Sequence, residues 1–177
     1  GSIPGQSEGT VVQYYVVVQT EKGQTSVPSG GSINPFTYYV GGLEQVYCED
    51  FEADDGGYTH ELVSGRDEEG ADDWMWGPPF GMGGDPDAAF SGSNVWGNDL
   101  GGGAYNGQYQ NSKHNRLISP TIDVGEHTNL LLQYRRWLNV EDGFYDQANI
   151  TANGEIVWTN HNSGWNEGDG HHQDEQW

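Results

Sequence analysis

Cysteine, methionine and base are all scarce in this sequence: one Cys, two Met and six Lys plus Arg among 177 residues. Each scarcity excludes something. Cys48 stands alone, so no disulfide closes within the chain. Set against 27 acids, the six bases leave a formal net charge of −21. Such a field repels nucleic-acid phosphates and anionic lipid, and neither is expected as a partner. No hydrophobic run approaches the roughly 18–20 residues of a membrane span, and no signal peptide is recognisable at the N-terminus. The leading Gly1-Ser2 reads equally as an added scar or as the edge of a processed fragment.

Long aliphatic residues are also few, and 28 glycines interrupt almost every window in which a helix would have to nucleate. Only residues 130–140 string helix-tolerant residues together, and their Tyr-Arg-Arg-Trp core suits a strand equally well. The chain is expected to be all-β. Catalytic motifs are missing too: no G-x-S-x-G elbow, no Walker-type glycine loop, no cysteine–histidine pairing. His60-Glu61-Leu62-Val63-Ser64 begins like the zinc-protease HExxH helix, but serine replaces the second histidine and the surroundings read as a strand. Carboxylate pairs such as Asp54/Asp55 and Asp72/Asp73 leave a glycosidase-like acid and base open on spacing alone. Solvated loops explain them as well, and the chain is not expected to be an enzyme.

What is present centres on residues 72–100, which hold Trp74, Trp76 and Trp96 among glycines, prolines and carboxylates. Trp74 and Trp76, two apart, project from one face of an extended strand. Gly77-Pro78-Pro79 ends that strand because proline lacks a ladder donor. A second short strand is expected within 88–96. Further strands are predicted over 10–19, 36–40, 46–52, 58–63, 116–118, 129–138, 146–152 and 155–159. Asn153-Gly154 between the last two is a type I′ hairpin signal. Strands at this spacing, with turn chemistry between them, predict a sandwich or jelly roll.

Two resemblances sharpen this. Gly9-x-Val11-Val12-x-Tyr14-Tyr15-Val16-x-Val18, followed by Gly23 and Pro28, resembles the last strands of a fibronectin type III-like domain. That reading assigns residues 1–41 to its C-terminal strands, places the earlier strands upstream, and makes Gly41-Gly42 a hinge. The alternative is a hairpin belonging to the following domain. From residue 45 to 177 the order is Phe51-Glu52, Trp74-x-Trp76-Gly77-x-Pro79, Ala89-x-Ser91-Gly92-x-x-Val95-Trp96-Gly97 and Leu117-x-Ser119-Pro120-x-Ile122-Asp123. Residues 131–137, Glu141 and Tyr145-Asp146 complete it. This is similar to the MAM-related jelly-roll module that accompanies immune inhibitor A-type secreted bacterial metallopeptidases and surface proteins. The resemblance implies an extracellular, non-catalytic β-sandwich, commonly calcium-stabilised. Family members close with a further Gly-Gly-Trp-x-x-Asp-Asp-Val-like segment, where the partner of Cys48 would often lie. The jelly roll is therefore expected to be incomplete at its C-terminus.

Calcium wants about six to eight hard oxygens. By position within the resembled module, Glu52, Asp99 and Asp146 are the candidate ligands, with Glu141 and Asp142 in reserve. The alternative for each is a solvated acid. His171-His172, with Asp169, Asp174 and Glu175, forms a second, transition-metal candidate on a polar tail that is more simply read as lacking order. Trp74, Trp76, Trp96 and Trp137 are expected to fill the core. Trp165 and Trp177 are the better candidates for exposure and for stacking on a sugar. Asn149-Ile150-Thr151 is a sequon of use only on a eukaryotic secretory route.

The expected function is adhesion, ligand binding (glycan or protein) or the positioning of neighbouring domains in a larger extracellular protein. The first alternative is an accessory domain of a secreted zinc metallopeptidase. The second is a structural subunit that self-associates through open sheet edges, by strand addition, into a fibre.

Overall fold

Alternating β-branched and aromatic residues favour strands wherever glycine or acid-rich turns separate them, and the computed structural model follows that rule. It describes residues 2–28, 31–33, 35–102, 106–161, 172–174 and 177. Among these residues there are twelve strands, a single 3-10 turn at Gly31–Ile33 and no α-helix. Every pair is antiparallel. The all-β class expected of a β-sandwich holds.

The chain divides into two compact units, residues 1–46 and 47–177. In the first, β1 (Val11–Tyr14) pairs with β4 (Phe36–Tyr39), and β2 (Val16–Thr20) pairs with β3 (Gly23–Val27). Thr20 Oγ1 closes the β2–β3 turn by accepting from the Lys22 amide at 3.2 Å and donating to the Gly23 carbonyl at 3.1 Å. Tyr14 packs its ring on Phe36 across the β1–β4 ladder, with centroids 5.3 Å apart.

In the second unit, β5 (Thr59–Ser64) pairs with β8 (His114–Ile118) and β6 (Trp74–Gly77) with β7 (Val95–Asn98). β9 (Asn139–Val140) pairs with β12 (His172–Gln173), and β10 (Asn149–Ala152) with β11 (Glu155–Thr159). The β10–β11 turn is the one the sequence names: Asn153 and Gly154 both have positive φ, 52° and 84°, as a type I′ turn requires. β8 lies beside β6, although no backbone ladder joins them among the described residues.

Four expectations need correction. Residues 46–52 form no strand: Glu49 Oε1 accepts the Phe51 amide at 2.8 Å and Phe51 sits at φ 62°, which turns the chain. Residues 129–138 form no strand of their own among the described residues, and the ladder there is confined to Asn139–Val140. The tail is not wholly without order, since His172–Gln173 forms β12. The tryptophans also do less core-filling than expected, with Trp76 39% exposed and none fully buried among the described residues. The apolar side chains buried among the described residues are few, Ala71, Leu100 and the prolines Pro79 and Pro86, whereas Asp73, Asp99, Asn160 and Asp174 are buried polar groups. Hydrogen-bonded carboxylates and amides knit this interior where a larger protein would pack leucine.

Candidate functional site

The polar interior is densest around the β6–β7 ribbon. Asp73, just before β6, receives the side-chain amides of Asn98 (2.8 Å) and Asn115 (2.7 Å) on Oδ1 and the Gln110 amide (3.1 Å) on Oδ2. Asn98 belongs to β7 and Asn115 to β8, so one carboxylate bridges the seam that lacks a ladder. Asp73 also accepts the Asp99 amide on its own carbonyl at 2.8 Å.

Asp99 follows β7 with φ 43°, a conformation tolerated by aspartate better than by most residues. Its carboxylate gathers the amides of Gly101 (3.2 Å), Gly107 (3.2 Å) and Asn106 (3.4 Å). Loop backbone is thereby wrapped around a buried negative charge. Asp85 shares this neighbourhood. Burial, and then the charge of Asp99, push its carboxyl up from 3.8 to about 6. Asp85 Oδ2 is buried with no hydrogen-bond partner among the described residues. Asp85 escaped the sequence reading, because nothing in Gly-Gly-Asp-Pro-Asp distinguishes it from a solvated turn acid.

Indole N–H groups hold the surrounding loops. Trp76 donates to the Phe51 carbonyl (3.0 Å), Trp96 to Asp55 (3.0 Å), Trp137 to Gly84 (2.9 Å) and Trp177 to Ala88 (2.8 Å). Trp177, expected to be exposed, is half-buried and packs on Trp137, centroids 5.8 Å apart. Arg135 lies 4.4 Å over the Phe90 ring, and Asn139 reaches the Gly83 carbonyl at 3.2 Å. Loop 83–90 is thus pinned from one side by Asn139, Trp137, Arg135 and Trp177.

The proposed calcium ligands fall at three places. Glu52 Oε1 accepts the amides of Ser93 (2.8 Å) and Asn94 (2.7 Å), tying the first loop to the approach to β7. Asp99 serves the glycine loops just described. Glu141 and Asp146 meet at Tyr109, whose hydroxyl donates to Asp146 Oδ2 at 2.6 Å and accepts the Glu141 amide at 3.3 Å, with Asp142 next in the chain. Burial, then the Asp146 bond, raises the Tyr109 phenol to about 12. Asp142 caps its own turn, accepting the Phe144 amide on Oδ1 and the Tyr145 and Asp146 amides on its carbonyl. Among the described residues no three His, Cys, Asp or Glu side chains form a group able to hold a metal ion. An ion at any of these places would draw most of its oxygens from backbone and water.

His60 lies on β5, not on a helix, and its Nδ1 meets Asp72 Oδ2 at 2.9 Å beside the Trp96 ring. Asp54 and Asp55 each spend Oδ1 on a glycine amide two residues ahead. Of the tail cluster, Asp169, His171 and Glu175 lie outside the described residues, as does Trp165. Asp174 is buried and binds Arg136 Nε (3.1 Å) and the Leu138 amide (2.9 Å), while Arg136 stacks 4.0 Å over Trp158. This aspartate staples the tail to the domain.

The chain is similar to a peptidase over part of its length. Bacillopeptidase F of Bacillus subtilis (strain 168) is 34% identical over 113 residues, which are 63% of this chain and 7% of that protein. The chain therefore spans a small fraction of the relative's length. No protein-family model matches the chain, and no solved structure matches it. No helix of the described residues is long and apolar enough to cross a membrane.

Proposed function

We propose that the chain is an accessory, non-catalytic β module of a larger extracellular peptidase-type protein, which it helps to hold or position. The observation that carries this is the similarity to a 7% portion of bacillopeptidase F. The interior supports it, because the carboxylates there are committed to backbone and amide donors that shape loops. The decisive comparison is between a parent protein with and without residues 47–177. The shortened protein should cleave a small fluorogenic peptide at the parental rate and lose secretion yield or action on large substrates. Turnover of casein or fluorogenic peptide by the isolated chain, abolished by Asp99→Asn or Asp85→Asn, would overturn the non-catalytic reading.

Calcium stabilisation belongs to the same proposal, supported by the resemblance and by the acid excess. A ligand bound only by the folded form raises the unfolding midpoint by mass action. An unchanged midpoint between calcium and chelator would remove it. Adhesion to glycan or protein is a second reading, favoured by the exposed rings of Phe80, Phe90 and Tyr145. Binding on a glycan array, lost in Phe80→Ser/Phe90→Ser, is its test.

A further inference from the structure

Two Asn-Gly steps occur in the chain, Asn106-Gly107 and Asn153-Gly154. Such a step is chemically labile because glycine has no side chain to shield its backbone nitrogen. That nitrogen, on losing its proton, adds to the Cγ of the preceding asparagine. The side-chain amide nitrogen leaves as ammonia, and a cyclic succinimide remains in the chain. Water then opens the ring at either carbonyl, giving aspartate or isoaspartate. Both asparagines are exposed, so exposure does not separate the two steps. Their surroundings do.

Gly107 is buried, and its N–H donates to Asp99 Oδ1 at 3.2 Å. A negative carboxylate there opposes the loss of the amide proton on which the reaction depends. Asn106 Oδ1 accepts the Gln108 amide at 3.0 Å, and the Asn106 amide reaches Asp99 Oδ2 at 3.4 Å. The Met82 carbonyl lies against Gly107 from the other side. This step cannot rotate without undoing the loops wrapped around a buried aspartate.

Asn153-Gly154 is held by far less. The Asn153 side chain makes no hydrogen bond among the described residues, and a Cβ on Gly154 would meet nothing. β10 and β11 pair only with each other among the described residues, and their register shifts between Ile150 and Thr151. A two-stranded ribbon is marginal by itself in water. Asn160 ties its open end, accepting the Ala148 amide at 2.8 Å and donating to the Asp146 carbonyl at 2.9 Å. Nearer the turn, Ile156 and Val157 are 61% and 53% exposed. Ring closure needs Asn153 to leave its turn conformation, so its rate follows how often the turn opens. Here opening breaks only the last ladder pairs.

We propose that Asn153 is a site of spontaneous deamidation and isomerisation, and that Asn106, in the same dipeptide, is protected by Asp99. Isoaspartate carries the main chain through its side-chain carbon and so inserts an extra backbone atom before Gly154. A two-residue type I′ turn has no room for it. Conversion therefore unlatches the β10–β11 ribbon from its tip and adds a negative charge to a chain already at −21. This inference stands independently of the accessory reading above.

The test ages the full chain at physiological temperature and mildly alkaline pH, both folded and in concentrated urea. Peptide mapping by mass spectrometry and isoaspartyl methyltransferase labelling follow each step. In urea the two steps should convert at similar rates, since the same dipeptide is then equally free. In the folded chain Asn153 should convert at least about tenfold faster than Asn106. Equal rates in the folded chain, or a faster Asn106, overturn the proposal. Amide exchange across 150–158 should quicken at least about tenfold in the aged chain and stay unchanged across 74–77. Exchange at 150–158 that ageing leaves alone would overturn the unlatching. Gly154→Ala, whose new methyl crowds the attacking nitrogen, should slow conversion of Asn153 at least about tenfold. Conversion undiminished in that variant would mean a route other than attack by the Gly154 nitrogen, and would overturn the proposal as well.

Discussion

At the scale of single residues, this protein depends on buried carboxylates that serve as anchors for loop and amide donors. Asp73 is the clearest case, since its two oxygens satisfy donors from β7, β8 and residue 110. Asp73→Ala would strand all three donors in a buried place, and hydrogen bonds to a charged group are worth about 1.5–3 kcal/mol each before relaxation. A loss of roughly 3 kcal/mol or more in urea unfolding is expected. Asp85 makes the opposite contribution. Its folded value of about 6 lies above the ordinary 3.8, so the folded form binds the proton more tightly than the unfolded one. Its favourable contribution is complete below about 4 and fades as pH rises through about 6. Asp85→Asn should flatten the stability profile across that window, and an unchanged slope would refute the assignment. The sequence showed an excess of acids but did not rank them. Burial separates Asp73, Asp85 and Asp99 from acids such as Asp67, and burial depends on neighbours remote in the chain.

At the scale of elements, loops are fixed by what touches their backbone. A Cβ on Gly107 would collide with the Met82 carbonyl, and one on Gly83 with the Gly107 carbonyl, while both glycines have positive φ. Gly107→Ala should cost more than about 2 kcal/mol, because neither strain nor clash can relax into a flexible side chain. The contrast is Gly154 in the β10–β11 turn, where a Cβ meets nothing and only the φ of 84° objects. There Gly154→Ala should cost only about 1 kcal/mol by the same measurement. The hairpin was legible from Asn153-Gly154 because a type I′ turn is a local demand on two residues. Val46, Tyr47, Cys48 and Phe51 suit a strand, yet residues 46–52 form none, because the Glu49 and Asp50 carboxylates accept the Phe51 and Glu52 amides and turn the chain. The tryptophans hold loops through their indole N–H groups more than they fill a core. Spacing shows which face an indole is on, whereas the carbonyl that its N–H reaches belongs to a loop 25 to 89 residues away.

At the scale of the whole molecule, the charge of −21 dominates. Self-repulsion of that size destabilises the folded form and is screened within about 10 Å at 0.1 M salt. Raising sodium chloride from about 0.02 M to about 0.5 M should increase folding stability by roughly 1 kcal/mol or more. A midpoint insensitive to salt would mean that the acids are spread too widely to matter. The sequence alone determined the class of this protein: glycine frequency and β-branched and aromatic runs disfavour helices and favour strands. Tertiary structure alone decided which acids are buried and which loops the indoles hold. Those outcomes depend on contacts between distant segments, whose free energies are set by burial and geometry and leave no periodic trace along the chain.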